Sequence, residues 1–334
     1  MKVKITELDT LTTHSLIKLG FSDEEALTIS KNLIEAELAG RKAHGLNKIL
    51  VIQKVLKNKF DNNNKYFDYI DLDKSKKIEI LKQSNHHLYI DANYKTGYVA
   101  ITKSLEIALP QAKDVPTFTV SIKNMGFASG FIGAYARLAT EQDLVYLGFH
   151  NSSGGLNYFG TNKDPLGTNP ITIGIPSNSY PVVVDTSMAK INWNDIEKAK
   201  NDNTSLPQNV AIDEQGSDTN DPNKVFSVKS IADYKGTAIA YGIELLAGAL
   251  SGSRVGFSNF GGWGSTYILI NPEYFVGLTN FKNIISKSIE SIKALGENVY
   301  VPGEKSGHIK KRLIQDGEIE ISDKIYQLLV DLIG

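Results

Sequence analysis

The stretch LGTNPITIGIP, residues 166–176, joins a loop rich in glycine and asparagine to a short run of β-branched residues. The run ITIGIP is typical of a β-strand. Glycine and asparagine before it permit turns that other residues avoid, and such loops expose backbone N–H groups to a ligand. The stretch therefore predicts a strand that begins at a candidate binding loop.

Two similar clusters lie elsewhere in the chain. Ser152–Gly155 follows the apolar run LVYLGFH, and Asp233–Gly236 begins a helical pattern. Lys235 and Gly236 at a helix N-terminus are a candidate phosphate contact, because the lysine charge adds to the helix dipole. Each cluster alone is more often a turn without a ligand.

The pattern around these loops indicates an α/β fold. Ser22 and Glu25 form a capping box that begins one helix. The apolar periodicity predicts helices over 22–39, 45–57, 98–113, 131–143, 236–252 (long and buried), 274–295 and 322–333. It predicts strands over 78–83, 86–91, 117–123, 144–150, 171–176 and 180–185. The polar segments 60–77 and 200–224 are predicted as surface excursions. Helices at both ends should pack together as one helical subdomain.

Composition excludes several classes. A formal net charge of −1 over 334 residues gives no basic field for nucleic acid or an anionic membrane. The lack of cysteine excludes disulfides and thiolate metal sites and fits a reducing interior. No signal peptide or membrane span is evident, so a cytoplasmic protein is expected. Neither G-x-G-x-x-G nor G-x-x-x-x-G-K-[ST] is found, and no metal site is predicted, because adjacent His86 and His87 point to opposite faces of a strand.

His44 lies in the turn between the first two predicted helices, within AGRKAHGLNKI (residues 39–49). A lone histidine at a helix boundary is more often structural than catalytic. Its side chain nevertheless titrates near neutrality, which suits a general acid or base.

The motifs taken together resemble the non-Rossmann malate/L-lactate dehydrogenase family, whose members include ureidoglycolate and sulfolactate dehydrogenases, diketogulonate reductase and piperideine-2-carboxylate reductase. The resemblance runs through AHGLNK (43–48), LGTNPITIGIP (166–176), VVDTSMAKI (183–191), DYKGTAIAYGIELLAGALSG (233–252) and VPGE (301–304). Nearly the whole chain is covered, and the ordered series is more specific than any one motif.

The resemblance implies an enzyme that transfers hydride between NAD or NADP and a 2-oxo or 2-hydroxy acid, or a related imine or carbonyl compound. It implies a central, mixed and largely antiparallel sheet domain (76–271) that binds the cofactor. A helical subdomain (1–75) would be completed by residues 272–334, and the molecule would be a homodimer. His44 would be the acid/base residue, with Lys48 and His150 as further catalytic candidates. The implied cofactor-binding residues are Ser129, Gly130, Ser152, Gly167, Thr168, Asn169, Pro170, Asp185, Thr186, Ser187, Met188, Ala189, Lys190, Ile191, Tyr234, Lys235, Gly236, Pro302, Gly303 and Glu304.

Departures from the family pattern cluster near the expected active site. Ala43 and Lys48 replace the usual serine and arginine, Ile52 replaces an aromatic residue, and Ala128 aligns with a second histidine. Three explanations stay open. The substrate requires only one acid/base group, His150 supplies the second imidazole, or the chain has lost the dehydrogenase reaction and binds a ligand or catalyses other chemistry.

Overall fold

The computed structural model describes residues 1–57, 70–257 and 261–334. Its helices are α1 Ile5–Lys18, α2 Asp23–Leu38, α3 Lys48–Lys57, α4 Gly97–Ala112, α5 Ile132–Thr140, α6 Trp193–Asn201, α7 Tyr234–Glu244, α8 Leu278–Lys293, α9 Glu304–Asp316 and α10 Asp323–Ile333. Its strands are β1 Lys2–Lys4, β2 Glu79–Gln83, β3 His87–Asp91, β4 Thr117–Met125, β5 Val145–His150, β6 Ile171–Ile175, β7 Val182–Thr186, β8 Ala211–Ile212, β9 Asp218–Thr219, β10 Ser227–Val228, β11 Trp263–Ile270 and β12 Glu318–Glu320.

The central sheet has the strand order β2-β3-β4-β11-β5-β6-β7. Only β3 and β4 pair in parallel, and the other neighbours are antiparallel. The prediction of a mixed, largely antiparallel sheet is confirmed. Its middle strand, β11, was not predicted: residues 263–267 are all buried, so the strand lacks the alternation that marks a half-exposed one.

Helices pack on the sheet and on one another around two main cores. One core lies between the sheet and helices α4 and α5, and includes Phe118, Tyr146 and Tyr267. The other joins α1, α2 and α3 to the C-terminal segment through Ile325 and Leu329. The capping box of α2 is present, with Ser22 Oγ accepting from the Glu25 N–H at 3.3 Å.

The two ends of the chain meet in space. Strand β1 pairs antiparallel with β12, and α1 packs against α10. Helix α8 instead lies beside the sheet, where Ser286 accepts from the Asn178 N–H at 3.2 Å and Lys282 pairs with Asp143 at 2.8 Å. The predicted boundaries between the helical subdomain and the sheet domain, at residues 75 and 271, stay a prediction. Tyr98 and Val99, within the proposed sheet domain, are buried in the core of the terminal helices.

Two predicted segments differ from the structure. The tract 200–224 is not merely a surface excursion: it contributes buried Leu206, Val210 and Ala211 to a third core and forms β8 and β9. The predicted buried helix 236–252 is α7 followed by a π-helical turn, Leu245–Ala249, and one apolar face of it is exposed. Because the segment is rich in small and apolar residues, the sequence predicted burial on all sides.

Two helices begin later than predicted, because turns take the place of their expected first residues. The helix predicted to begin at residue 45 begins at Lys48, and the one predicted from residue 274 begins at Leu278 after Gly277, whose φ is 77°. Residues 60–69 of the predicted polar loop lie outside the described residues. Among the helices that the structure describes, none is both long and apolar enough to cross a membrane.

Candidate active site

His44 lies on a 3₁₀ turn, Lys42–His44, between α2 and α3. The turn is held from both sides. The Leu46 N–H donates to the Glu37 carboxylate at 2.8 Å, and the Asn194 side-chain amide donates to the Ala43 carbonyl at 2.8 Å. The second bond joins the start of α6 to this turn, so distant parts of the sequence fix the position of the imidazole.

The imidazole opens into a cleft of about 560 Å³, called here the His44 cleft. Its walls combine aromatic rings, small polar side chains and three groups that can carry positive charge. The cleft is lined by Arg41, His44, Lys48, Val51, Phe127, Ala128, Ser129, Gly130, Ile132, Asn151, Ser152, Ser153, Gly154, Thr168, Pro170, Asp185, Ser187, Asn192, Trp193, Asn194 and Trp263.

The pKa of His44 is lowered from 6.5 to about 4. The side chain is accessible through the cleft, but the protein around it displaces much of the bulk water, and this desolvation is the largest cause. The charges of Lys48 and then Arg41 lower the pKa further. His44 is therefore neutral at pH 7 while no anion lies in the cleft, and it is ready to accept a proton.

Asp185, at the end of β7, is the carboxylate of the cleft lining. Burial raises its pKa, which a hydrogen bond from the Gly133 N–H at 3.0 Å and the charge of Arg41 partly offset. The carboxylate is thus anchored at the first turn of α5, where the helix dipole favours negative charge.

The loop 127–131 contributes its residues 127–130 to the wall of the cleft. Gly130 has a φ of +80°, and an added Cβ would lie 2.5 Å from Asn32 Oδ1. That same oxygen accepts from the Phe131 N–H at 2.8 Å. Ala128 lines the cleft within this loop, so the residue aligned with the family's second histidine does face the site, with a methyl group.

A second depression of about 580 Å³, called here the Lys190 groove, adjoins the His44 cleft. Both share Ser187 and Asn192, and the groove contains Ala189, Lys190 and Ile191 from the predicted cofactor segment. The residues fit an extended dinucleotide, because the two depressions are adjacent and Lys190 and Lys198 of the groove can pair with phosphate charge. Lys190 Nζ forms an ion pair with Asp233 Oδ1 at 2.8 Å.

Many predicted site residues meet in these two depressions. Those that line them are His44, Lys48, Ser129, Gly130, Ser152, Thr168, Pro170, Asp185, Ser187, Ala189, Lys190 and Ile191. Gly167 packs against Ser152 of the cleft wall, since an added Cβ on Gly167 would lie 2.4 Å from the Ser152 carbonyl oxygen. Asn169 is buried and donates to Glu244 at 2.7 Å.

His150 is not brought to His44. Its side chain is fully buried on β5, its Nδ1 lies 2.9 Å from Ser265 Oγ, and burial lowers its pKa to about 3. The adjacent residue, Asn151, is the one that lines the cleft. Asn151 is also largely buried, because its amide donates to the Arg254 carbonyl at 2.8 Å and accepts from the Gly264 N–H at 2.7 Å.

Other predicted cofactor contacts lie outside both depressions. Glu304 is 2% exposed and accepts from the Val301 N–H at 3.2 Å. The Pro302 carbonyl accepts from the Val183 N–H at 2.9 Å, and Gly303 packs against Val183. Met188 is buried, whereas Thr186, Tyr234 and Lys235 are exposed. A Cβ on Gly236 would lie 1.8 Å from the Ile231 carbonyl oxygen, so backbone packing alone explains this glycine.

Several cleft residues had no signal in the sequence. Arg41 lies in the α2–α3 turn, Trp193 and Asn194 begin α6, and Trp263 begins β11; neither α6 nor β11 was predicted. In α3 the structure exposes Val51 to the cleft and buries Ile52 in the core, so Ile52 is not a substrate contact. A shift of one residue on a helix turns the side chain by about 100°.

A mixed, largely antiparallel sheet with an imidazole, cations and an adjoining groove fits the class of non-Rossmann oxidoreductases. The malate/L-lactate dehydrogenase profile matches residues 3–330. The malate/(S)-sulfolactate dehydrogenase of Methanothermus fervidus is 29% identical over 328 residues, covering 94% of this chain and 92% of that protein. The L-sulfolactate dehydrogenase of Methanocaldococcus jannaschii is 30% identical over 331 residues, covering 95% and 92%.

Solved structures agree on the fold. The sulfolactate dehydrogenase from Methanocaldococcus jannaschii superposes with a TM-score of 0.84 at 28% identity, covering 99% of this chain and 96% of that one. The chain therefore belongs to the malate/L-lactate dehydrogenase family and is a dehydrogenase or reductase.

The cofactor class is confirmed at the level of NAD or NADP. An NAD(+)-dependent ureidoglycolate dehydrogenase of Escherichia coli is 26% identical over 345 residues, covering 99% of this chain and 95% of that protein. An NADP(+)-dependent (2R)-3-sulfolactate dehydrogenase of Chromohalobacter salexigens is 27% identical over 259 residues, covering 76% and 74%.

Proposed function

We propose that the protein reversibly transfers hydride between NAD or NADP and a 2-oxo or 2-hydroxy acid, with a cyclic imine acid as the related alternative. The observation that carries the proposal is the neutral His44 imidazole near the Lys48 ammonium, in a cleft that shares Ser187 and Asn192 with the Lys190 groove. The names of the relatives, which refer to malate and sulfolactate, support a 2-hydroxy acid.

A bound nicotinamide cofactor supplies or accepts the hydride, and the chain supplies orientation and the proton. Lys48 holds the substrate carboxylate as a point charge, without the bidentate fork of an arginine. In the oxidation direction, neutral His44 accepts the hydroxyl proton. In the reduction direction, His44 donates a proton to the carbonyl oxygen.

Substrate binding prepares His44 for the second role. Lys48 and Arg41 both lower its pKa, and an anion placed between them and the imidazole opposes that effect. The pKa of His44 therefore rises when the acid binds, which favours the protonated imidazole relative to the empty cleft. One imidazole then serves both directions, and buried His150 takes no part in proton transfer.

We also propose that the protein is a cytoplasmic homodimer. The exposed face of α7 and its π-turn carries Ile239, Leu245, Leu246 and Leu250, which are 39–60% accessible in a single chain. Contiguous apolar surface of this kind favours burial against a second protein surface. A second copy of the chain is the occupant that the family resemblance implies.

The test combines cofactor binding with turnover. NADH and NADPH are titrated against the intrinsic fluorescence of the protein, and NAD(P)H oxidation is then followed with 2-oxo acids and a cyclic imine acid. Saturable binding of one cofactor with turnover of an acid is expected. Cofactor binding without turnover would favour a ligand-binding role, and no binding of either cofactor would contradict the proposed function.

A further inference from the structure

Helix α6 forms part of the wall of both depressions. Trp193 and Asn194 at its start line the His44 cleft, and Lys198, one turn further along, lines the Lys190 groove. The N-cap residue, Asn192, lines both, and its side chain accepts from the Asp195 N–H at 2.9 Å. A ligand in the cleft and a ligand in the groove therefore contact the same short helix.

The other face of α6 is packed against the protein. Ile196 and Ala199 are buried in the third core, together with Leu206 from the segment that follows the helix. Trp193 lies over Gly155, whose φ is +116° and whose added Cβ would lie 2.8 Å from Trp193 Cζ2. Because these contacts fix α6 along its length, its cleft end and its groove end move together. A rigid helix of this kind can carry energetic coupling between two sites.

Asn194 joins α6 to the turn that carries His44. Its Nδ2 donates to the Ala43 carbonyl at 2.8 Å, and the His44 N–H on the other side of the same peptide bond donates to the Arg41 carbonyl at 2.8 Å. The peptide unit between residues 43 and 44 is planar, so these two hydrogen bonds together fix its orientation. That orientation sets the direction in which the His44 side chain leaves the backbone. Asn194 therefore helps to determine where the imidazole points.

A single part-buried hydrogen bond between neutral groups contributes little free energy, so this bond opens from time to time in the free protein. A dinucleotide whose phosphate pairs with Lys198 restrains α6 and keeps the bond formed. We propose that Asn194 is a positioning residue for His44, through which a dinucleotide in the Lys190 groove orders the proton-transfer site. This inference rests on the proposed function and concerns how its two depressions act together.

The test compares two alanine variants on the same helix. Asn194→Ala removes the donor to the turn, and Asn201→Ala removes an exposed amide at the end of α6, outside both linings. Calorimetry measures the binding of malate with and without NADH or NADPH. A reduced cofactor and a 2-hydroxy acid cannot react with each other, so the titration reports binding alone.

In the wild type the cofactor should tighten malate binding about 3- to 10-fold, which corresponds to the net contribution of one hydrogen bond. By reciprocity, malate should tighten cofactor binding by the same factor. Asn194→Ala should reduce this factor below about twofold, the low end of what one hydrogen bond contributes, while Asn201→Ala keeps it. An unchanged factor in Asn194→Ala would overturn the proposal. Equally weakened malate binding with and without cofactor would do the same, since it would indicate a direct substrate contact.

Two further measurements separate positioning from a purely structural role. Asn194→Ala should lower kcat for the best-reduced 2-oxo acid about 5- to 50-fold, because the imidazole is misplaced. Burial is the main reason why the pKa of His44 lies at about 4, so a loosened turn should raise that pKa toward 6.5 while Lys48 and Arg41 stay in place. An NMR titration of the imidazole follows this change. Wild-type values of kcat and of the His44 pKa in Asn194→Ala would contradict the assignment.

Hydrogen exchange tests the positioning role independently of the proposed function. Amide exchange over residues 42–46 is followed in the free protein, where Asn194→Ala should exchange faster than Asn201→Ala at this turn alone. If neither NADH nor NADPH binds, the proposed function fails, whereas faster exchange at the turn still supports the link from α6 to His44. Unchanged exchange, or faster exchange throughout the chain, would refute that link whether or not a cofactor binds.

Discussion

The position of His44 is fixed by a turn that depends on the neighbouring Gly45 and on Glu37. An added Cβ on Gly45 would lie 2.1 Å from Glu37 Oε1, the oxygen that accepts from the Leu46 N–H. Glu37 is buried, and this burial raises the pKa of its carboxyl group. Any side chain at residue 45 must displace the carboxylate that orders the turn.

We predict that Gly45→Ala lowers both stability and turnover. The loss of the Glu37 contact and the overpacking should reduce the free energy of unfolding by about 1–3 kcal/mol. Denaturant unfolding and kcat are the measurements. Gly296→Ala is the control, because its Cβ would first meet Val299 at 3.6 Å. Equal behaviour of the two variants would show that the turn does not depend on Gly45.

At this scale the sequence singled out His44, which the structure places in a cleft, but it did not predict most of the residues around it. His44, Lys48 and Asp185 belong to local motifs that can be read in one dimension. Arg41 and Asn194 reach the cleft only through the tertiary fold: one follows a left-handed glycine, and the other lies at the start of an unpredicted helix. No local pattern marks such residues.

Among the elements, the pairing of β5 with β11 determines the role of His150. The pair His150↔Ser265 places the imidazole inside the sheet's packed face, where Nδ1 contacts Ser265 Oγ and burial lowers the pKa from 6.5 to about 3. In the unfolded chain His150 is protonated below about pH 6.5, whereas in the folded chain it stays neutral until the pH falls to about 3. Stability from this group is therefore complete above pH 6.5 and is lost as the pH falls.

We predict that His150→Gln reduces the acid sensitivity of the fold without removing activity at pH 7. Between pH 6.5 and 5 the wild type should lose about 2 kcal/mol from this histidine, following 1.4 kcal/mol per pKa unit. Urea unfolding at pH 7 and pH 5 measures the difference, with exposed His86→Gln as the control. The same acid sensitivity in His150→Gln and wild type would refute this assignment.

Elements with clear periodicity were predicted, and elements with unusual burial were not. The capping box marked α2, and alternation marked β4 and β5. Helix α1 was missed because it buries Thr12 and Ser15 alongside Leu8 and Leu16, which weakens the apolar stripe. Strand β11 was missed because both of its faces are covered.

At the scale of the whole molecule, we propose that the exposed apolar face of α7 and its π-turn forms a dimer interface. We predict a dimer of about twice the 36.7 kDa chain mass, which Leu246→Asp should dissociate by placing a charge in the interface. Sedimentation equilibrium measures the mass. Leu295→Asp, at a leucine 75% exposed after α8, is the control and should remain dimeric. A monomeric wild type, or dissociation by Leu295→Asp alone, would contradict this assembly.

The fold class and the order of the binding loops were predictable because family motifs extend over nearly the whole chain. The cleft was not, because it forms where the α2–α3 turn, the loop 127–131 and the start of α6 converge. That convergence depends on long-range contacts such as the Asn194–Ala43 hydrogen bond. Sequence motifs therefore predicted candidate residues, and tertiary packing determined which of them share one cleft.

The central claim is that His44 transfers the proton, and a comparison of His44→Ala with His86→Ala tests it most directly. The measurements are kcat for the best-reduced 2-oxo acid and the dissociation constant of the cofactor. His44→Ala should lose about 10²- to 10⁴-fold in kcat while binding the cofactor normally, since the general acid/base is removed and the Lys190 groove is untouched. His86→Ala should match the wild type. Full turnover by His44→Ala would contradict the account.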